Sequence, residues 1–167
     1  MRRIFLATLL ASCGMAAMAE DNPLWLRYPA ISPDGKTVAF AYRGDIFTVP
    51  VEGGTAKQIT SNAAFDSHPV WSPDSRHLAF ASNREGSMDI WLMDANGGVP
   101  RRLTTNSGNE LPLRWLNDKT VMFKADVMPT AESIVYSGSF AQVYTVGIEG
   151  GRPKLFSEIM MDALEGN

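Results

Sequence analysis

With 167 residues, 15 Lys and Arg against 18 Asp and Glu, and 45% hydrophobic content, the chain has the make-up of one ordinary globular domain. Acidic residues outnumber basic ones and the longest basic cluster is Arg101-Arg102, which excludes the concentrated positive footprint of a nucleic-acid binder. The N-terminal apolar run falls well short of the ~20 residues that a retained membrane-spanning helix needs.

That first segment has the tripartite order of a secretory signal: Arg2 and Arg3, an apolar stretch from Ile4 to Ala11, then the small-residue site Ala17-Met18-Ala19. Residues 1–19 are therefore expected to be a signal peptide, with the mature chain beginning at Glu20 in the periplasm. The single cysteine, Cys13, lies inside this leader, so the mature chain would have neither thiol nor disulfide. Leu10-Ala11-Ser12-Cys13 also reads as a lipobox, and the alternative localisation is a lipid anchor on Cys13.

The rest of the chain repeats itself at a spacing of about 40 residues. Tyr28-Pro29-Ala30-Ile31-Ser32-Pro33-Asp34-Gly35 aligns without a gap on His68-Pro69-Val70-Trp71-Ser72-Pro73-Asp74-Ser75, and a weaker copy begins at Leu111-Pro112. Pro33 presets φ in the turn, Asp34 can bond back to the backbone and Gly35 tolerates positive φ, so the turn joins Ala30-Ile31 to Val38-Ala39-Phe40. Pro73 and Asp74 place the same turn in the second copy. A second turn at Arg43-Gly44 leads into the alternating strand Ile46-Phe47-Thr48-Val49. The paired glycines Gly53-Gly54, Gly97-Gly98 and Gly150-Gly151 then suit a hairpin before a last strand, such as Lys57-Gln58-Ile59-Thr60.

Each unit is thus a meander of four strands, as in one propeller blade. The predicted fold is all-β, a partial β-propeller of about three four-stranded antiparallel blades within residues 20–160. The blades fall at approximately 28–60, 68–104 and 111–156, and a tail follows at 161–167. Phe40, Phe80 and Phe123 recur on the second strand, Phe47, Trp91 and Tyr144 on the third, and Trp71 and Trp115 on the first, where aromatic rings fill the space between blades. The third unit departs twice: Asn117-Asp118-Lys119 carries no Pro, and roughly Asp126 to Phe140 is an insertion, a candidate substrate- or partner-facing loop.

Nothing along the chain assembles a catalytic constellation. There is no Gly-x-Ser-x-Gly elbow, and His68 and His77, the only imidazoles, occupy repeat positions held by Tyr28 and Thr37 in the first copy. No His-Glu-x-x-His, Cys pair or calcium-loop spacing is present, so neither metal nor other cofactor is expected. Asp34, Asp74 and Asp118 recur where turn hydrogen bonding explains them. Asp45 and Asp89 open the third strand of two copies, with Gln142 in the third. They read either as hydrogen-bonding braces between blade and loop or as acidic groups for cationic peptide ends.

The Pro-Asp-Gly turns, the Ala-Phe second strand, the Asp-Ile-aromatic third strand and the Gly-Gly hairpin resemble TolB-type, WD40-like propeller repeats. Asn22-Pro23-Leu24-Trp25-Leu26-Arg27-Tyr28-Pro29 after a signal peptide, together with Asn109-Glu110-Leu111-Pro112, is similar to the N-terminal propeller of exported tricorn-type serine peptidases. That resemblance implies a non-catalytic segment that scaffolds the enzyme and filters peptide access, with a PDZ domain and a serine-protease core downstream. Its partners would be peptides or proteins and the downstream domains of the same polypeptide. The alternative is a TolB-like protein-interaction propeller with no enzymatic activity. Because a ring usually needs four to eight blades, the sequence reads as part of a longer protein whose open blade edges would invite oligomerisation. Assembly of the ring from several copies is a third arrangement.

Overall fold

The computed structural model describes residues 25–127 and 140–157, and every regular element among them is a strand. The first blade comprises β1 (Arg27–Ile31), β2 (Thr37–Tyr42), β3 (Asp45–Pro50) and β4 (Lys57–Gln58). The second comprises β5 (Asp66–Trp71), β6 (His77–Glu85), β7 (Ser87–Asp94) and β8 (Arg101–Arg102). The third comprises β9 (Glu110–Asn117), β10 (Thr120–Val127), β11 (Phe140–Gly147) and β12 (Lys154–Ser157). Each sheet is an antiparallel meander whose spatial order follows the sequence. The first strands β1, β5 and β9 lie against one another from blade to blade and form the inner ring, while the fourth strands occupy the opposite edges.

Alternation within the strands gives every blade two unlike faces. Ala39, Ala41 and Ile46 of the first blade meet Leu78, Phe80, Trp91 and Met93 of the second. Ala79, Ile90 and Leu92 on the other side of the second blade meet Val121, Phe123 and Val146 of the third. The alanines Ala39, Ala41 and Ala79 leave room on the forward faces for Phe80, Trp91 and Phe123 of the following blades, while Phe40 and Phe47 stack on each other outside both interblade clusters. Burying a side chain such as Phe80 or Phe123 completely contributes roughly 2–3 kcal/mol each. The seams are also stitched by indoles: Trp71 Nε1 donates to the Ala30 carbonyl at 2.9 Å, and Trp115 Nε1 donates to the Val70 carbonyl at 3.1 Å.

The turns between first and second strands define one rim, called lower here, and they repeat atom by atom. Ser32 Oγ donates to Asp34 Oδ1 at 2.6 Å, which also accepts the Lys36 amide, while Thr37 N–H donates to Ser32 Oγ. Ser72, Asp74, Arg76 and His77 make the same set, again with a hydroxyl–carboxylate distance of 2.6 Å. Gly35 has φ 72° and Ser75, at the matching position, φ 59°, so the turn holds its left-handed geometry without glycine. Ser75 Oγ then accepts the Asp34 amide across the seam at 3.2 Å. In the third blade the expected part for Asp118 passes to Asn117, whose Oδ1 accepts the Lys119 amide. β9 and β10 close there through a two-residue loop too short for the longer Ser–Asp network.

Several boundaries differ from expectation because strand pairing runs further than turn signals suggest. The first strand of blade one begins at Arg27 rather than Ala30. β10 pairs with β11 as far as Val127 opposite Phe140, so both ends of the supposed Asp126–Phe140 insertion belong to the ladder. The segment 83–88 in the second blade likewise joins the strands, with Gly86 at the tip at φ 111°. The fourth strand of blade one pairs only over Lys57–Gln58, although the Ile59 and Thr60 amides still reach the Ile46 carbonyl. The expected signal peptide, the tail and the core of the expected insertion lie outside the described residues.

Candidate functional site: the upper rim of the inner strands

The upper rim gathers the N-terminal ends of β1, β5 and β9 with the loops joining second to third strands. Tyr28 and His68 occupy equivalent places there, each before a proline. A proline has no amide for the ladder, and the register slips between Arg27 and Ala30 and again between Ser67 and Val70. Tyr28 and His68 absorb the slip with φ 54° and 52°, a left-handed conformation that side chains rarely adopt. Their rings stack at 3.6 Å between centroids across the first seam, and His68 Nδ1 lies 3.0 Å from Ser67 Oγ. Burial, with the nearby Lys124 charge, lowers the His68 pKa below its ordinary 6.5 and favours the neutral imidazole.

Charged residues are buried beside this stack. Asp66 is fully buried and pairs with Arg84 at 2.6 Å, and the Arg84 guanidinium lies over the Phe80 and Trp91 rings at 5.6 and 5.2 Å. Asp89 is also fully buried and pairs with Arg102 at 2.8 Å; burial raises its pKa while Arg102 opposes the rise. Glu110 of β9 takes hydrogen bonds from Thr104 Oγ1 and from Asn106 Nδ2, joining the second and third blades, and burial raises its pKa as well. Asp45, by contrast, is half-exposed and accepts from Gln58 Nε2 at 2.9 Å and Thr60 Oγ1 at 3.4 Å. At the third-copy position, Gln142 Oε1 accepts the Tyr144 hydroxyl at 2.5 Å.

Asp45 and Asp89 therefore sit at one height but in different settings, and Asp89 has no exposed surface to offer a peptide amine. The turn residues Pro33, Asp34, Gly35, Pro73 and Asp74 stand on the opposite rim, away from this group. The paired glycines at 53–54, 97–98 and 150–151 all adopt positive φ in their hairpins. Sequence reasoning passed over Arg84, Arg102 and the strained Tyr28–His68 pair; the signal for the last was an X-Pro step at one repeat position. A small cavity of about 160 Å³ opens at the same rim between Trp25, Tyr28 and Phe65, flanked by Arg27 and Arg43. Among the described residues no group of three or more His, Cys, Asp or Glu side chains is placed to hold a metal, and no helix is long and apolar enough to cross a membrane.

Fold and rim together define a blade array of the TolB-like β-propeller class, with its inner strands presenting individual side chains on one side. The chain belongs to the family described as the Tricorn protease N-terminal beta propeller domain, which matches residues 23–165. It is 34% identical over 109 residues to Tricorn protease homolog 1 of Streptomyces coelicolor, a stretch covering 65% of this chain and 10% of that protein. The chain thus spans about a tenth of the length of that curated relative. Among solved structures, it resembles a putative TolB from Agrobacterium tumefaciens with a TM-score of 0.67 at 23% identity, covering 80% of this chain and 50% of that one. TolB from Acinetobacter baumannii gives 0.64 at 25% identity, covering 79% and 32%.

Proposed function

We propose that this chain is the exported, non-catalytic propeller segment of a tricorn-type serine peptidase, serving as a scaffold whose upper rim screens peptides on their way to a catalytic core carried elsewhere in the polypeptide. The observation that carries this reading is the family match over nearly the whole chain, joined to an inner rim whose side chains differ from blade to blade. A rim of repeated residues would serve assembly alone; a differentiated one, held in strained backbone at Tyr28 and His68, suits recognition. The leader at residues 1–19 supports export, and Asp45 and Asp89 act as braces of the third strands within this reading.

An antibody raised against residues 25–157 tests it in the native host. Periplasmic extracts should give a polypeptide much larger than the 167-residue chain, with Glu20 at its N-terminus and a serine that reacts with a fluorophosphonate probe. A band of the size of this chain alone, a cytoplasmic location, or a full-length polypeptide that the probe never labels would overturn it. The last result would favour the second reading, a TolB-like interaction propeller, which the 25% identity to the Acinetobacter baumannii protein supports.

A further inference from the structure

We infer that the small cavity on the upper rim of the first blade is a docking site for a peptide carrying an aliphatic side chain next to a carboxylate. The inference deepens the peptide-screening reading and rests on it. Three rings wall the cavity: Trp25 and Phe65, which are 61% and 48% exposed, and Tyr28. At about 160 Å³ it is well below the ~300–1,000 Å³ of clefts that take drug-sized ligands and suits a single aliphatic side chain. Buried Ala41 and Gly44 form its floor. A Cβ on Gly44 would meet the Phe65 ring at 3.3 Å, so a glycine there leaves the ring its place.

The charge around the mouth is one-sided. Arg27 and Arg43 flank it, both exposed, and neither pairs with a carboxylate among the described residues. Each guanidinium is instead held near a ring, Arg27 at 6.0 Å from the Trp25 centroid and Arg43 at 5.2 Å from that of Tyr42. Elsewhere on this rim Arg84 and Arg102 are matched by Asp66 and Asp89, which makes the unmatched pair at the cavity the place where an incoming anion adds what the chain lacks.

The walls are also fixed before any ligand arrives. The Phe65 amide donates to Asn83 Oδ1 at 2.7 Å, the next amide, of Asp66, donates to the Gly44 carbonyl at 2.7 Å, and Tyr28 is clamped by its stack on His68. A site whose backbone and rings are already set loses little freedom on binding. The carboxylate could be a peptide C-terminus or an acidic side chain beside the aliphatic one, since both offer the same two oxygens to a guanidinium.

Fluorescence anisotropy on the whole protein purified from its host distinguishes these. Three labelled peptides are compared: one ending in Leu with a free carboxylate, the same peptide amidated, and an amidated peptide ending Leu-Asp. The free acid or the Leu-Asp peptide should bind more tightly than the plain amide. The R27Q/R43Q double variant should weaken that binding roughly fivefold to tenfold and erase the preference, and Phe65→Ala should weaken all three peptides. Equal binding of all three peptides, or a double variant that binds like the parent, overturns this site while leaving peptide screening intact. No binding of any peptide by a protein with an unchanged circular dichroism spectrum removes both the site and the peptide-facing rim.

Discussion

The two rims of this propeller segment are built on opposite rules. On the lower rim, Ser32–Asp34 and Ser72–Asp74 make the same hydrogen bonds at the same distances, so two blades 40 residues apart use one solution. On the upper rim the backbone repeats but the charged side chains find different partners: Asp89 is ion-paired and buried where Asp45 is half-exposed and hydrogen-bonded, and Arg84 has no counterpart in the first blade's two-residue turn at Arg43-Gly44. The difference separates what assembles a blade from what distinguishes it.

The sharpest way to break that contrast is at the third-strand aspartates. Asp89→Ala leaves Arg102, only 27% exposed, facing a vacated buried position and should lower stability by about 3 kcal/mol, whereas Asp45→Ala should cost about 1 kcal/mol. Urea unfolding of each variant measures both, and equal losses would show that the two positions are equivalent after all. On the lower rim the expectation is symmetry: Ser32→Ala and Ser72→Ala should each cost about 1 kcal/mol, because each removes a buried hydroxyl that bridges a carboxylate and an amide.

The rims also respond oppositely to pH. Hydroxyl donation from Ser32 and Ser72 holds Asp34 and Asp74 below the ordinary carboxylate value of 3.8, so their stabilisation is present above that value and is lost as pH falls through the folded-state values. Asp89 and Glu110 are raised by burial, so stability instead declines as pH rises from about 4 through their folded-state values. Glu110→Gln keeps acceptor and shape without the ionisation and should flatten that decline in a series of melts between pH 4 and 7, leaving the acid limb unchanged. The smallest effect is expected for Ser75→Gly, where relief of a left-handed serine offsets the lost bond from the Asp34 amide; the net change should stay within about 0.5 kcal/mol.

The same division explains what could be read from the sequence. Blade count, strand order and aromatic placement were legible because turns of Pro33-Asp34 and Pro73-Asp74 type and paired glycines act locally, within a few residues of the strands they join. Strand ends were misjudged where a ladder continues past its turn signal, as at Val127 and Phe140. The upper rim was opaque for a different reason. Arg84 finds Asp66 18 residues away, Glu110 bridges from the third blade to Thr104 and Asn106 of the second, and the Tyr28–His68 stack spans a whole repeat. None of these partnerships has a spacing that marks it. Glu110 was visible only as part of Asn109-Glu110-Leu111-Pro112, and nothing in that string announces a buried carboxyl group.

The indole stitches between blades have a consequence for how such a ring can change over time. Trp71 and Trp115 reach a main-chain oxygen, which every residue possesses, rather than a particular side chain. A blade that brings its own tryptophan can be seated behind almost any predecessor. Duplication, shuffling or loss of whole units then disturbs the seam little, and the upper rim is left free to diverge.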